Sequence, residues 1–73
     1  MKRLTPAEWG RVRERVTTMS LPDRGPDAAA RMAAWLEARP GNGWFYILGS
    51  TVSFGLSIDA EAFKRWMLTE LVA

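Results

Sequence analysis

A two-residue reversal constrains the fold of this chain more than any other feature. Gly49-Ser50 separates two runs, Trp44–Leu48 and Thr51–Leu56, in which aromatic and β-branched residues typical of strands predominate. Glycine suits the first position of a type II′ turn, because that position needs a positive φ angle. The sequence therefore predicts an antiparallel hairpin in which Leu48 lies opposite Thr51.

This register sorts the hairpin side chains onto two faces, because successive residues of a strand point to opposite sides. One face is apolar, and we expect helices to bury it: Phe45, Ile47, Val52, Phe54 and Leu56. The other face sets three large side chains against small ones: Trp44, Tyr46 and Leu48 opposite Gly55, Ser53 and Thr51. Trp44 opposite Gly55 is typical of an aromatic ring that covers a strand glycine.

The N-terminal segment carries a helix-start signal. Thr5 and Glu8 form a capping box, and Pro6 occupies the first helical position. The following apolar residues recur at helical spacing: Trp9, Val12, Val16 and Met19. This pattern predicts a first helix over residues 6–18.

Two further helices follow from the same kind of signal. One is predicted to begin near Pro26 and Asp27 and to end before Pro40, with an apolar stripe made by Ala28, Met32, Trp35 and Leu36. Another is predicted to begin near Asp59, with a stripe made by Ala60, Phe63, Met67 and Leu71.

These elements predict one α+β domain spanning residues 1–73, with three helices packed on a two-stranded antiparallel hairpin in the order ααββα. A lone two-stranded ribbon is not stable in water, so helices must cover its apolar face. Helices on both sides of the ribbon would instead bury Trp44 and Tyr46 as core, and the sequence leaves that alternative open.

Composition argues against catalysis and against a metal site. The chain has no Cys and no His, which removes the commonest nucleophile–base pairs and the commonest metal ligands. Helix and turn capping accounts for the carboxylates that stand closest together in sequence: Asp23, Asp27, Asp59 and Glu61. We therefore expect no enzyme activity and no cofactor.

No apolar run is long enough to cross a membrane, and Lys2 and Arg3 do not precede the apolar core of a signal peptide. The sequence is that expected of a protein in the cytoplasm of a bacterial host cell.

Positive charge is concentrated near the N-terminus. Residues 1–15 carry five basic and two acidic side chains, whereas the remainder carries five basic and six acidic ones. Arg3, Arg11 and Arg15 therefore define one functional hypothesis, a small nucleic-acid-binding or regulatory protein. In the predicted helix Arg11 and Arg15 share a face, whereas Arg13 projects elsewhere.

The leading hypothesis is a non-catalytic protein-binding module of phage or mobile-element type. Its predicted contact residues are Trp44, Tyr46 and Leu48, with Arg11 and Arg15 as a charged rim, because aromatic and Arg side chains dominate binding hot spots. Another protein or a ribonucleoprotein complex is the predicted partner.

A homodimer formed through the hairpin edges or the exposed aromatics is a further alternative. Leu68 and Val72 form a second, smaller candidate patch.

The segments Asp27–Met32 and Tyr46–Phe54 carry a resemblance to a known family. An Ala-rich helix, a Gly/Asn/Pro turn and a strand ending in Ile47-Leu48-Gly49-Ser50 resemble parts of the small phage-encoded anti-CRISPR proteins that act on type I systems. The resemblance covers about a third of the chain and matches no functional residue by motif. It implies a stoichiometric inhibitor that occupies a surface of a Cas complex and needs no active site.

Overall fold

The computed structural model describes residues 1–71, which form a mixed four-stranded sheet with its longer helices on one face. The strands are β1 (Lys2–Arg3), β2 (Thr17–Ser20), β3 (Trp44–Leu48) and β4 (Thr51–Phe54). The helices are α1 (Pro6–Trp9), α2 (Gly25–Ala38) and α3 (Ser57–Trp66), and α3 continues into a π-helical turn, Met67–Leu71. The strand order across the sheet is β1-β3-β4-β2.

The central hairpin forms in the predicted register. Leu48 lies opposite Thr51, Ile47 opposite Val52 and Phe45 opposite Phe54. Gly49 has a φ angle of 59°, which a side chain would disfavour.

The predicted architecture of three helices on a two-stranded antiparallel hairpin, in the order ααββα, is wrong. Each edge of the hairpin pairs with a further strand. β1 runs parallel to β3, with Lys2 opposite Trp44, and β2 runs antiparallel to β4, with Met19 opposite Val52. β2 covers the edge of β4 and β1 covers the first two residues of β3, so the hairpin is not the isolated two-stranded ribbon whose edges the predicted homodimer would have used.

The first helix is the reason for this error. The Thr5–Glu8 capping box is present, but the helix ends at Trp9 and not at residue 18. Gly10 weakens a helix by roughly 1 kcal/mol relative to Ala, and the β-branched run Val16–Thr18 favours a strand. The ladder that residues 17–20 form with β4 outweighs the helical periodicity of the apolar residues.

The hydrophobic core lies between the sheet and the two longer helices. Its fully buried side chains are Phe45, Val52, Phe54, Leu36 and Phe63. The rings of Phe54 and Phe63 lie 5.7 Å apart and join β4 to α3. The predicted stripes are confirmed for the buried residues of α2 and α3: Ala28, Met32 and Leu36, and Ala60 and Phe63.

A partly buried ion pair joins the end of α2 to the start of α3. Asp59 Oδ1 accepts a hydrogen bond from Arg39 Nε at 2.8 Å, and the Arg39 guanidinium lies over the ring of Trp35. A Cβ atom at position 43 would collide with the Asp59 carboxylate, so Gly43 permits the close approach. The sequence predicted a capping role for Asp59, but its side chain makes no capping hydrogen bond in the first turn of α3 and binds Arg39 instead.

Candidate functional site

The two faces of the sheet are covered very differently. α2 and α3 pack on the face that carries Phe45, Val52 and Phe54. We call the opposite side the open face. Of the helices described, the four-residue α1 packs on this side. The open face consists of alternate residues of three strands: Trp44, Tyr46 and Leu48 of β3, Thr51 and Ser53 of β4, and Thr18 and Ser20 of β2.

Three aromatic side chains form a cluster on the open face. The rings of Trp9 and Tyr46 are stacked, with centroids 4.8 Å apart and planes 10° apart. Trp9 also meets Trp44 edge to face at 6.0 Å. All three side chains are half-buried. The cluster is thus held rigidly by its own contacts while part of its surface faces solvent.

A strand glycine fixes the position of Trp44. The Gly55 N–H donates to the Trp44 carbonyl oxygen at 3.1 Å, so the two residues lie opposite each other. A Cβ atom at Gly55 would collide with the Trp44 indole, which lies over the glycine as the sequence predicted. The absence of a side chain at Gly55 therefore leaves the space that the indole occupies.

Leu48 is the most accessible of the three contact residues predicted on the hairpin. Its side chain is 59% exposed at the hairpin end of the open face. Hydroxyl groups of Thr18, Ser20 and Thr51 line the rest of the face, and Thr18 Oγ1 lies 3.0 Å from Oγ of Ser53, which is itself buried. An exposed apolar side chain and a rigid aromatic cluster therefore stand on a background of small polar residues.

An arginine-bearing loop, residues 10–16, connects α1 to β2. Arg11, Arg13 and Arg15 are all exposed, and Arg13 Nη1 donates to the carbonyl oxygens of Gly10 and Val12 at 3.2 Å. Arg11 lines a shallow depression together with Trp44. The predicted helical face shared by Arg11 and Arg15 is wrong, because neither residue is helical. Within residues 1–71, neither forms an ion pair.

The remaining basic residues of this region are neutralised. Arg3 Nη1 lies 3.2 Å from Glu37 Oε1 of α2, so its side chain is directed to the helix-covered side and away from the arginine-bearing loop. Lys2 Nζ lies 2.6 Å from Glu8 Oε2. The hydrogen bonds from Lys2 and from the Thr5 backbone lower the pKa of Glu8 to about 2.

Trp9 is the site residue that sequence reasoning missed. Its spacing from Val12 and Val16 placed it in a helical core stripe, yet it stacks on Tyr46 at the open face. Gly10 and the β-branched run at residues 16–18 were the available signals, because together they indicate that the helix stops at Trp9.

The second predicted patch is only partly described. Leu68 is 67% exposed in the π-helical turn, whereas Val72 lies outside the described residues.

In residues 1–71 no helix is long and apolar enough to cross a bilayer. The same residues contain no cluster of three or more His, Cys, Asp or Glu side chains that could hold a metal ion.

No protein-family model matches this chain, and neither a curated protein nor a solved structure is significantly similar to it.

Proposed function

We propose that this chain is a non-catalytic protein-binding module and that the open face of its sheet is the contact surface. The observation that carries the proposal is the rigid Trp9–Trp44–Tyr46 cluster with the 59% exposed Leu48 beside it. Aromatic side chains already fixed by packing lose little conformational freedom on binding, and such residues dominate interface energies.

The charge around this surface indicates what kind of partner it suits. Arg11 lines a depression with Trp44, Arg15 is exposed in the same loop, and neither forms an ion pair within residues 1–71. A complementary partner would present an apolar contact for Leu48 and Tyr46, with acidic side chains at its margin. Such rim charges chiefly raise the association rate and fix orientation.

A narrower form of the proposal makes that partner a type I Cas complex, as the resemblance to anti-CRISPR proteins implies. Its support is the hairpin strand ending in Ile47-Leu48-Gly49-Ser50, together with a binding surface that needs no catalytic group. A purified type I Cas complex is therefore the first defined probe to use.

Nucleic-acid binding is the second candidate function, and one observation favours it. Because residues 10–16 form a loop and not a helix, three exposed arginines lie in one short segment, and Arg11 of that segment lines a depression with Trp44. Arginine and aromatic side chains together are typical of single-strand binding surfaces. Binding of this kind would weaken steeply as salt concentration rises, whereas burial of Leu48 against a protein would not.

The test compares two exposed apolar side chains on opposite sides of the sheet. Leu48→Asp alters the open face, and Ile58→Asp is the matched control, since Ile58 of α3 is 67% exposed on the helix-covered side. Each variant is used as bait in host lysate, and binding of any captured protein is then measured with purified components. Binding of each variant to the type I Cas complex and to a single-stranded oligonucleotide is measured in the same way.

We expect Leu48→Asp to weaken protein binding by at least about tenfold and Ile58→Asp to leave it unchanged. Equal binding by both variants would remove the open face as the contact surface. Strongly salt-dependent binding of the oligonucleotide, lost on Arg11→Ala and Arg15→Ala, would establish the second candidate instead.

A further inference from the structure

The two edges of the four-stranded sheet are protected to different degrees. β1 is two residues long, and its Lys2 and Arg3 form ion pairs with Glu8 and Glu37. β2 is four residues long and contains no charged residue and no proline: Thr17, Thr18, Met19 and Ser20. Edge strands are commonly blunted by shortness, charge or proline, because free N–H and C=O groups recruit another strand. β2 has none of these protections.

The hydrogen-bond pattern identifies which backbone groups of β2 are free. The Leu21 N–H donates to Ser50 O at 2.7 Å, so Leu21 is bonded toward β4. Bonding alternates along an antiparallel strand, so Met19 and Thr17 also bond toward β4. The N–H and C=O groups of Thr18 and Ser20 therefore point outward from the edge.

Exposed apolar surface lies next to this free edge. A pocket of about 380 Å³ opens where the chain leaves β2, between Leu21 and the apolar side chains Met67 and Leu68. Leu68 is 67% exposed there. A partner that extended both the sheet and the helical layer would cover this surface.

We propose that β2 pairs in antiparallel orientation with β2 of a second copy of this chain, about a two-fold axis perpendicular to the sheet. The product is one continuous eight-stranded sheet with both helical layers on the same side. The inference does not depend on the function of the open face, because Trp44, Tyr46 and Leu48 stay uncovered in the dimer and Arg15 is the one rim residue that the dimer engages.

The bonding pattern of the edge selects the register. Only residues with outward-pointing groups can bond to one another, and the strand contains two, Thr18 and Ser20. Both residues find a strand partner when Thr18 of the first copy pairs with Ser20 of the second. The two-fold axis then pairs Ser20 of the first copy with Thr18 of the second. Met19 then faces Met19 across the axis, on the helix-covered side.

Charge complementarity supports a second copy over an unrelated peptide. In this register the residues that precede β2 in one copy run beside the residues that follow β2 in the other copy. Arg15 then lies opposite Asp23 of the second copy, and the two-fold axis creates this pair twice. Both side chains are exposed, and neither forms an ion pair within residues 1–71.

The direct test removes one outward-pointing donor. Ser20→Pro deletes an N–H that the sheet of one copy does not use, and Ser20→Ala is the matched control that retains it. Sedimentation equilibrium is run from about 5 µM to about 500 µM protein. We expect wild type and Ser20→Ala to approach twice the 8.2 kDa chain mass, while Ser20→Pro stays at 8.2 kDa with an unchanged circular dichroism spectrum.

A charge exchange tests the register without altering the backbone. Arg15→Asp and Asp23→Arg each place like charges opposite each other, and we expect each to weaken dimerisation about tenfold. The double variant Arg15→Asp/Asp23→Arg restores both pairs and should recover the wild-type dissociation constant. This cycle remains informative if Ser20→Pro does not fold.

Two outcomes would overturn the inference. The first is a wild-type chain that stays at 8.2 kDa throughout the concentration range. The second is a dimer that survives Ser20→Pro, and its loss on Leu48→Asp would then place the contact on the open face.

Discussion

The two faces of the central hairpin are made by alternate residues of the same two strands, yet they have opposite properties. Phe45, Val52 and Phe54 are completely buried under α2 and α3. Trp44 and Tyr46, their neighbours in sequence, are half-buried, and Leu48 is 59% exposed. The difference shows that a strand pattern specifies which side chains share a face, whereas the packing of the helices decides which face remains accessible.

The comparison is tested most severely at the centre of the covered face. Phe54→Ala removes a fully buried ring that contacts Phe63 and leaves a cavity, so we expect a loss of about 3–5 kcal/mol in the free energy of unfolding. A small domain has little stability to lose, and the variant should be largely unfolded at room temperature. Urea titration followed by circular dichroism measures the loss. A loss below about 1 kcal/mol would contradict the burial assigned to this face.

The aromatic cluster should give an intermediate effect. Tyr46→Ala removes the ring that stacks on Trp9 at 4.8 Å, and we expect a loss of about 1–2 kcal/mol. Combining it with Trp9→Ala in a double-mutant cycle should yield a coupling energy of about 0.5–1.5 kcal/mol. Additive losses would mean that the two rings do not support each other and that α1 is not held to the sheet by this stack.

Leu48 should contribute less to folding than the covered face or the aromatic cluster. Leu48→Ala shortens a side chain that is 59% exposed, so the free energy of unfolding should change by less than about 0.5 kcal/mol. Val52→Ala, on the facing strand but fully buried, is the matched control and should lose about 1–3 kcal/mol. Similar losses at the two positions would show that the open face is covered.

The pH dependence of α1 should be the smallest effect. Glu8 has an unfolded pKa of about 4.3 and a folded pKa of about 2, lowered by hydrogen bonds from Lys2 and Thr5. Because the folded pKa is the lower one, the ionised Glu8 stabilises the fold above about pH 4.3, and this contribution is lost as pH falls toward 2. Glu8→Gln should lack this dependence. Identical acid titrations of wild type and Glu8→Gln would contradict the assigned contacts.

The sequence predicted the hairpin and the two longer helices because their signals are local. Gly49 requires a positive φ angle, and Pro40 follows a residue in extended conformation, Arg39, where α2 has ended. Two strands were missed because their local signals are absent or weak. Lys2–Arg3 is too short to show a period, and the β-branched run at residues 16–18 is a weak local signal that only pairing with β4 turns into a strand.

The candidate site was predicted in part for the same reason. The hairpin register alone places Trp44, Tyr46 and Leu48 on one face, and the structure brings these three residues together on the open face. Trp9 joins them through a tertiary contact that no spacing in the sequence encodes. The role of this surface in binding a partner stays a prediction.

Access of solvent to the two faces can be compared directly by nuclear magnetic resonance with a soluble paramagnetic probe. The methyl groups of Leu48 and Val52 belong to adjacent strands but opposite faces. We predict strong relaxation enhancement for the Leu48 methyls, similar to that of exposed Ile58, and almost none for Val52. Leu48 methyls as protected as those of Val52 in the monomer would contradict an accessible open face and the binding function proposed for it.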